Sequence, residues 1–388
     1  MTLKHQKHLF DLPDDITYLN IAAQSPSFKS VTEAGMEGLK QKSQPHTIKG
    51  TDYFEPVTEL RKLFAEVIDC DEFERVATSP SVSYGLANIA NNITLKNGDE
   101  ILVIEEQFPS NIYIWQKLAD KYDANIVTVK APESNNNPIK QWNKEILDGI
   151  TDKTAVVAMG NIHWSNGALF HLMAIRKKSR QHNALLIVDG SQSIGAMPFS
   201  VNELQPDAVV CAGYKWLFGP YGCAYAYYGP HFDGGRPIEE NWSNRLNSEN
   251  FAGLTEYQSK YKSLANRYMV GENGNFIYTK MQIAALKQVL KWKPEDIQEY
   301  CKAIALDAVE ELKKMGCEIE ESDQRSHHLF GVRIPEGLDL KQLKVALEEQ
   351  KVYVSFRGQY IRVSCHYFNT KEDFNALVNC MGSVLETA

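Results

Sequence analysis

The sequence has no paired-cysteine motif. Its seven cysteines (70, 211, 223, 301, 317, 365 and 380) are odd in number and scattered without a C-x-x-C. This argues against both a disulfide framework and a zinc site, and reduced thiols in a cytoplasm are the expectation. No apolar run approaches the roughly 20 residues of a membrane-spanning helix. The opening string MTLKHQKHLFDLPDD lacks the apolar core of a secretory leader. Positive charge is not in excess: the formal net charge is −8, so neither a nucleic acid nor an anionic membrane is an expected partner. No G-x-G-x-x-G follows an early apolar run, which removes the usual signature of a nicotinamide oxidoreductase. There are no internal repeats, and the one biased patch, Ser134-Asn135-Asn136-Asn137-Pro138, reads as a surface loop.

What the chain does have is core material. Hydrophobic residues make up 43% of 388 positions, which suits a large and a small domain sharing one site. The organising stretch is 184–222. The apolar run Ala184-Leu185-Leu186-Ile187-Val188 stops on Asp189-Gly190, the pattern of a buried parallel strand. In an open α/β sheet, ligands sit beyond the carboxyl ends of such strands. A second run, Asp207-Ala208-Val209-Val210-Cys211-Ala212, ends on Gly213-Tyr214-Lys215-Trp216. Two neighbouring strand ends would therefore present an acid and an amine to one crevice. Pyridoxal 5'-phosphate (PLP) chemistry needs this pair: the amine condenses with the cofactor aldehyde, and the carboxylate keeps the pyridine nitrogen protonated. An ordinary buried salt bridge between Asp189 and Lys215 has the same spacing.

The longer string separates these readings. DGSQSIGA followed by VVCAGYKWLFGPYG closely resembles the class V aminotransferase family of fold-type I PLP enzymes. That group also holds cysteine desulfurases, kynureninase, isopenicillin-N-epimerase-like proteins and a sulfoxide lyase. The resemblance implies an α/β large domain with a mostly parallel sheet and a smaller α+β C-terminal domain. The expected division is an N-terminal segment (1–20), a PLP-binding domain (20–265) and a small domain (266–388). A homodimer acting on an amino-acid substrate is implied as well.

Residue by residue, the resemblance assigns Lys215 and Asp189 to catalysis. It gives Val82 and Ser83, at the start of a helix in SPSVSYG, to the cofactor phosphate, a seat that any helix N-terminus favours. Phe108 would lie on the pyridine ring. Asn166 would bond the ring oxygen, and Gln192 would sit beside the ring. Tyr214 would offer a phenol to the phosphate. Trp164 would border the substrate, and Arg362, in IRVSCHYFNT, would receive its carboxylate. The segment Ile21-Ala22-Ala23-Gln24-Ser25-Pro26 would face the substrate. His163 reads as a satisfied structural histidine rather than a catalytic one.

Four departures narrow the reading. Phe108 stands where desulfurases carry histidine, and Ala212 stands where they carry a phosphate-binding serine. No cysteine lies in the stretch 352–362, so a persulfide-forming desulfurase is not expected. Cys365 reads as a small buried apolar residue. Glu272 replaces a hydroxyl in the string that crosses a dimer to the partner's phosphate, which leaves Asn273 or Asn275 as the candidate there. The expected activity is an aminotransferase. The alternatives are a C–S or C–C lyase of kynureninase or sulfoxide-lyase type, then an epimerase, then a degenerate binding module. Helices are expected over 57–67, 173–182, 297–315 and 370–385, and late strands over 330–334, 352–356 and 360–364.

Overall fold

The computed structural model describes residues 5–132, 138–335 and 337–385; of the patch expected as a loop over 134–138, residues 134–137 lie outside them, and Pro138 opens the helix Pro138–Gly149. Among the described residues the strands, in chain order, are β1 (Thr17–Tyr18), β2 (Val76–Ser79), β3 (Glu100–Ile104) and β4 (Asn125–Val129). They continue with β5 (Thr154–Gly160), β6 (Leu185–Asp189), β7 (Ala208–Ala212) and β8 (Ala224–Tyr228). The last are β9 (Leu329–Arg333), β10 (Val352–Tyr353), β11 (Ser355–Arg357) and β12 (Tyr360–Ser364). One seven-stranded sheet runs in the order β2-β8-β7-β6-β5-β3-β4. From β4 to β7 all neighbours are parallel, while β8 and β2 close the far edge antiparallel. This is the mostly parallel α/β sheet expected from the sequence.

The sheet is buried on both faces, and side-chain alternation divides it between two cores. Leu102, Ile104, Val157, Met159, Leu186, Val188 and Val209 point into one cluster. Ile101, Val103, Val156, Ala158, Ile187 and Val210 point into the other. Continuous apolar strands are needed because neither face is left to solvent. The helix expected at 57–67 is present as Glu55–Val67, and the crossover helix expected at 173–182 is present as Leu172–Gln181, between β5 and β6.

The C-terminal sheet has the order β11-β12-β9 and is antiparallel throughout. The long helix expected over 297–315 runs Pro294–Lys314 and ends before Gly316, whose φ is +87°, the left-handed stop that glycine supplies. The strand expected over 352–356 is two strands. Val352 pairs with Thr17 of β1 while Ser355 pairs with Arg362 of β12, and one flat strand cannot serve partners in two different sheets. β1 thereby ties the N-terminal segment to the C-terminal part, and Ser25 N–H reaches the Tyr214 carbonyl (3.1 Å) in the large sheet's loops. The helix Tyr278–Val289 packs on Lys29–Ser43 and Glu55–Val67. Contact there is close enough that a Cβ on Gly38 would fall 2.5 Å from the Phe276 carbonyl. Among the described residues, no helix is long and apolar enough to cross a membrane.

Candidate active site

The parallel register places the acid and the amine. Asp189 is the last residue of β6, opposite Gly160 on one side and Val210 on the other. Its Oδ1 accepts the Ser191 N–H at 3.0 Å. The turn after it is tight: a Cβ on Gly190 would meet Ile194 Cδ1 at 2.2 Å, so glycine is required for the chain to leave the strand there. β7 ends at Ala212, Gly213 N–H bonds the Cys223 carbonyl (2.9 Å), and the chain turns to deliver Lys215 into the same crevice.

The crevice is a cleft of about 250 Å³ whose walls include Asp189, Lys215, Phe108, Trp164, Tyr214 and Val82. Lys215 is buried, and that burial lowers its amine pKa to about 8; Asp189 works against the shift, and Arg362 adds to it. The amine lies 5.7 Å from the Phe108 ring centroid and 5.8 Å from that of Tyr214. Phe108 leaves the end of β3 past Glu106, whose φ is +51°, and remains 41% exposed on the cleft wall. Trp164 meets it edge-on, with centroids 5.4 Å apart and an interplanar angle of 82°. Its indole N–H donates to the Glu106 carbonyl at 2.6 Å.

At the other end the helix Val82–Asn91 begins. Ser81 caps it, accepting the Tyr84 N–H at 3.1 Å, with its hydroxyl 2.9 Å from that of Ser83. Ser81, Val82 and Ser83 all line the cleft. The cleft therefore offers a basic amine, an acid across from it, a flat aromatic wall and a capped helix start. This donor set fits PLP: aldehyde, pyridine nitrogen, ring face and phosphate each have a chemical counterpart.

Gln192 lines the cleft, but both ends of its amide are engaged. It donates to the Ala22 carbonyl (3.1 Å) and accepts from Trp216 Nε1 (3.0 Å). Ala22 and Ser25 thus meet groups behind the cleft, through Gln192 and the Tyr214 backbone. Arg362 is buried on β12. It donates to the Trp164 carbonyl (3.1 Å), and its Nε has no partner among the described residues. His163 is buried between Asn166, Ser165 and the Glu105 carbonyl. Burial lowers its pKa to about 4, in keeping with the structural reading.

Three expected residues are not walls of this cleft: Arg362, which reaches it only through Trp164, Asn166 and Asn273. Asn166 Oδ1 is held by the Ala168 N–H (3.1 Å) and by His163 Nδ1 (3.1 Å). Its side chain belongs to the neighbouring hollow that Tyr360 and Gly331 line, not to the Lys215 cleft. The reason is steric: a Cβ on Gly331 would sit 2.9 Å from the Asn166 Cα, which pins that turn against β9. Asn273 donates to Ser243 Oγ (3.2 Å) and the Val270 carbonyl (2.9 Å). It lines a separate surface hollow with Glu272, Trp242 and Phe54.

Gln107, Ser110, Ser191 and Tyr221 are among the cleft residues not singled out from the sequence. Ser191 Oγ accepts the Ala212 N–H at 3.1 Å, placing a serine beside the alanine that desulfurases replace. The signal for it was local, two residues beyond Asp189. Tyr221 leans on Tyr214 at 4.6 Å, and nothing in its sequence context marks it.

A family profile described as aminotransferase class-V matches residues 17–377. The uncharacterized aminotransferase YcbU of Bacillus subtilis is 26% identical over 336 residues, covering 85% of each chain. Among solved structures, the cystine C–S lyase C-DES superposes with a TM-score of 0.84 at 19% identity, covering 96% of this chain and 98% of that one. The cysteine desulfurase CsdA from Escherichia coli superposes with a TM-score of 0.81 at 18% identity, covering 98% of both. These two likenesses are of fold. With the profile spanning nearly all of the sequence, the chain belongs to the class V aminotransferase family, and PLP is its cofactor.

Proposed function

We propose that Lys215 is the residue that binds PLP covalently and then moves a proton at the Cα of an amino-acid substrate, the overall reaction being aminotransfer. The observation that carries this reading is the Lys215 amine: buried at the end of β7, beside the acid that ends β6, with its pKa brought down to about 8. A primary amine of ordinary basicity is locked in its protonated form near neutrality, whereas one near 8 can both accept and return a proton. When bound, PLP supplies an electrophilic aldehyde and an electron-withdrawing ring that acidifies the Cα–H of the amino acid.

With PLP bound, Asp189 would keep the pyridine nitrogen charged and Phe108 would cover the ring. Val82 and Ser83 would hold the phosphate with the first amides of their helix, and Tyr214 would add its phenol. Arg362 takes the substrate carboxylate in a charge-assisted pair, and Trp164 walls the substrate space. Gln192 supports the floor through Trp216 rather than by a free amide. The protein works as a homodimer in the cytoplasm. Seven free thiols suit a reducing compartment, and Asn273 shares a surface hollow with exposed Trp242 on a face that a second copy can cover.

A lyase is the second reading, and the aromatic wall favours it. Phe108 with Trp164 edge-on gives an apolar surface on which a departing side-chain fragment can rest. A desulfurase is disfavoured because Cys365, near Arg362, is fully buried with a raised-pKa thiol (Cys301) against its carbonyl.

The test is the visible absorption spectrum of the protein with PLP, compared with Lys215→Ala and followed by a panel of L-amino acids. The expectation is a band lost in the variant and a loss of turnover of at least about ten-thousandfold, the upper range for removing a positioned acid–base group. Release of a 2-oxo acid with the cofactor left as its amine means aminotransfer. A cleaved side chain with the cofactor unchanged means a lyase. No band in the wild type sinks the reading.

A further inference from the structure

The hairpin of β11 and β12 carries two cations on one face. Ser355 is opposite Arg362, and Arg357 is opposite Tyr360. Cross-strand partners share a face, and so do residues two apart, so Arg357 and Arg362 project to the same side. Both guanidinium groups lie against Trp164, at 5.6 Å and 5.8 Å from its ring centroid. Trp164 is a wall of the Lys215 cleft.

Two neighbouring guanidinium groups repel each other, and this repulsion, after burial, depresses the Arg362 pKa to about 9. The protein does not neutralise them. Arg357 donates to the Phe356 carbonyl, and Arg362 donates to the Trp164 carbonyl and the Ser355 hydroxyl. No carboxylate lies within 4.0 Å of either among the described residues. The Arg362 Nε is buried and unpartnered, which is costly unless a ligand satisfies it. One guanidinium is matched by the substrate's α-carboxylate. The other has no role in the reading given above.

We infer that Arg357 is a specificity residue that binds a second anionic group, so that the substrate is an amino acid whose side chain ends in a carboxylate or an equivalent oxyacid. This rests on the proposed placement of the α-carboxylate on Arg362. A single carboxylate satisfies one planar fork bidentately. A ligand with two anionic ends relieves the repulsion between both arginines, and a neutral side chain leaves one cation unmatched.

The test uses the PLP-loaded protein and two amine-free probes, glutarate and butyrate, which differ by one terminal carboxylate. Binding is followed by tryptophan fluorescence and by the cofactor's visible band. Wild type is expected to bind glutarate at least about tenfold tighter than butyrate, the worth of one charge-assisted pair. In Arg357→Gln the ratio falls to within about twofold of one, and Arg357→Lys restores part of it. Arg362→Gln weakens both probes. Equal binding of the two probes by wild type, binding of neither, or an equal loss of both in Arg357→Gln overturns the assignment. A failure of the underlying PLP reading shows itself differently, as a missing visible band before any probe is added.

Discussion

The two halves of the proposed site, the Lys215 cleft and the arginines behind its Trp164 wall, are built from different kinds of sheet. On the cofactor side, Asp189 and Lys215 leave the ends of β6 and β7, parallel strands in the middle of a sheet buried on both faces. On the proposed substrate side, Arg357 stands on β11, the edge strand of a three-stranded sheet, and buried Arg362 on β12, its central strand, the hairpin between them turned by Gly358 at φ +55°. The first half has opposite charges in one cleft, the second has like charges with no carboxylate within 4.0 Å among the described residues. The central strands hold groups whose geometry cannot vary without unpicking two cores. A half-exposed residue on an edge strand, such as Arg357 on β11, can be changed more cheaply. The proposed function thereby places shared chemistry on the former and substrate choice on the latter.

The sharpest break of this comparison is Arg362→Gln. If the hairpin governs substrate capture, kcat/KM falls by roughly a hundred- to a thousandfold, the worth of two hydrogen bonds to a charged group. The loss should sit mainly in KM, and the visible band of the loaded protein should survive. Steady-state kinetics on the best L-amino acid, together with the spectrum, check both parts. A lost band with KM unchanged would move Arg362 to the cofactor half.

On the other half, the strain lies in the amine itself. The folded pKa of Lys215 is about 8 against an ordinary 10.5. Between those values the unfolded chain holds a proton that the folded one has released, so stability rises with pH across that window. Below about pH 8 the full cost of a buried charge is present. In the cofactor-free protein, Lys215→Met should remove this dependence, with a pH-dependent gain over wild type of about 3 kcal/mol at neutrality. The gain shrinks towards zero as the pH approaches 10.5. Urea midpoints at several pH values measure it. A difference that grows with pH would show that Asp189 outweighs burial.

What could be read beforehand follows the same division. Asp189 and Lys215 end apolar runs whose length and abrupt stop mark buried strands, so their meeting depends only on parallel register between neighbours. The parallel sheet and the helices Glu55–Val67 and Pro294–Lys314 were legible for that reason. Arg357 was not, because its significance arises only when β11 pairs with β12 and both face Trp164, far away in the chain. Ser191 and Tyr221 enter the cleft through loop turns that no periodicity announces. Asn273 was named for a phosphate contact that one copy of the chain does not make. The split of 352–356 into β10 and β11 depends on which partner each piece finds.

Asn166 is the smallest expected effect and the finest discriminator. The motif IHWSN spells the residue type correctly, yet a motif does not fix which way a side chain turns. Its amide oxygen is engaged by Ala168 N–H and His163 Nδ1, and its neighbours are Tyr360 and Gly331. Asn166→Ala should therefore leave PLP affinity within about twofold while lowering stability by about 1 kcal/mol, the worth of a buried hydrogen bond. Equilibrium PLP titration and thermal unfolding of the same variant separate the two effects. A tenfold loss of PLP affinity at unchanged stability would mean that the turn after β5 rotates on cofactor binding. The cofactor half would then be the adaptable one, and the contrast with the hairpin would reverse.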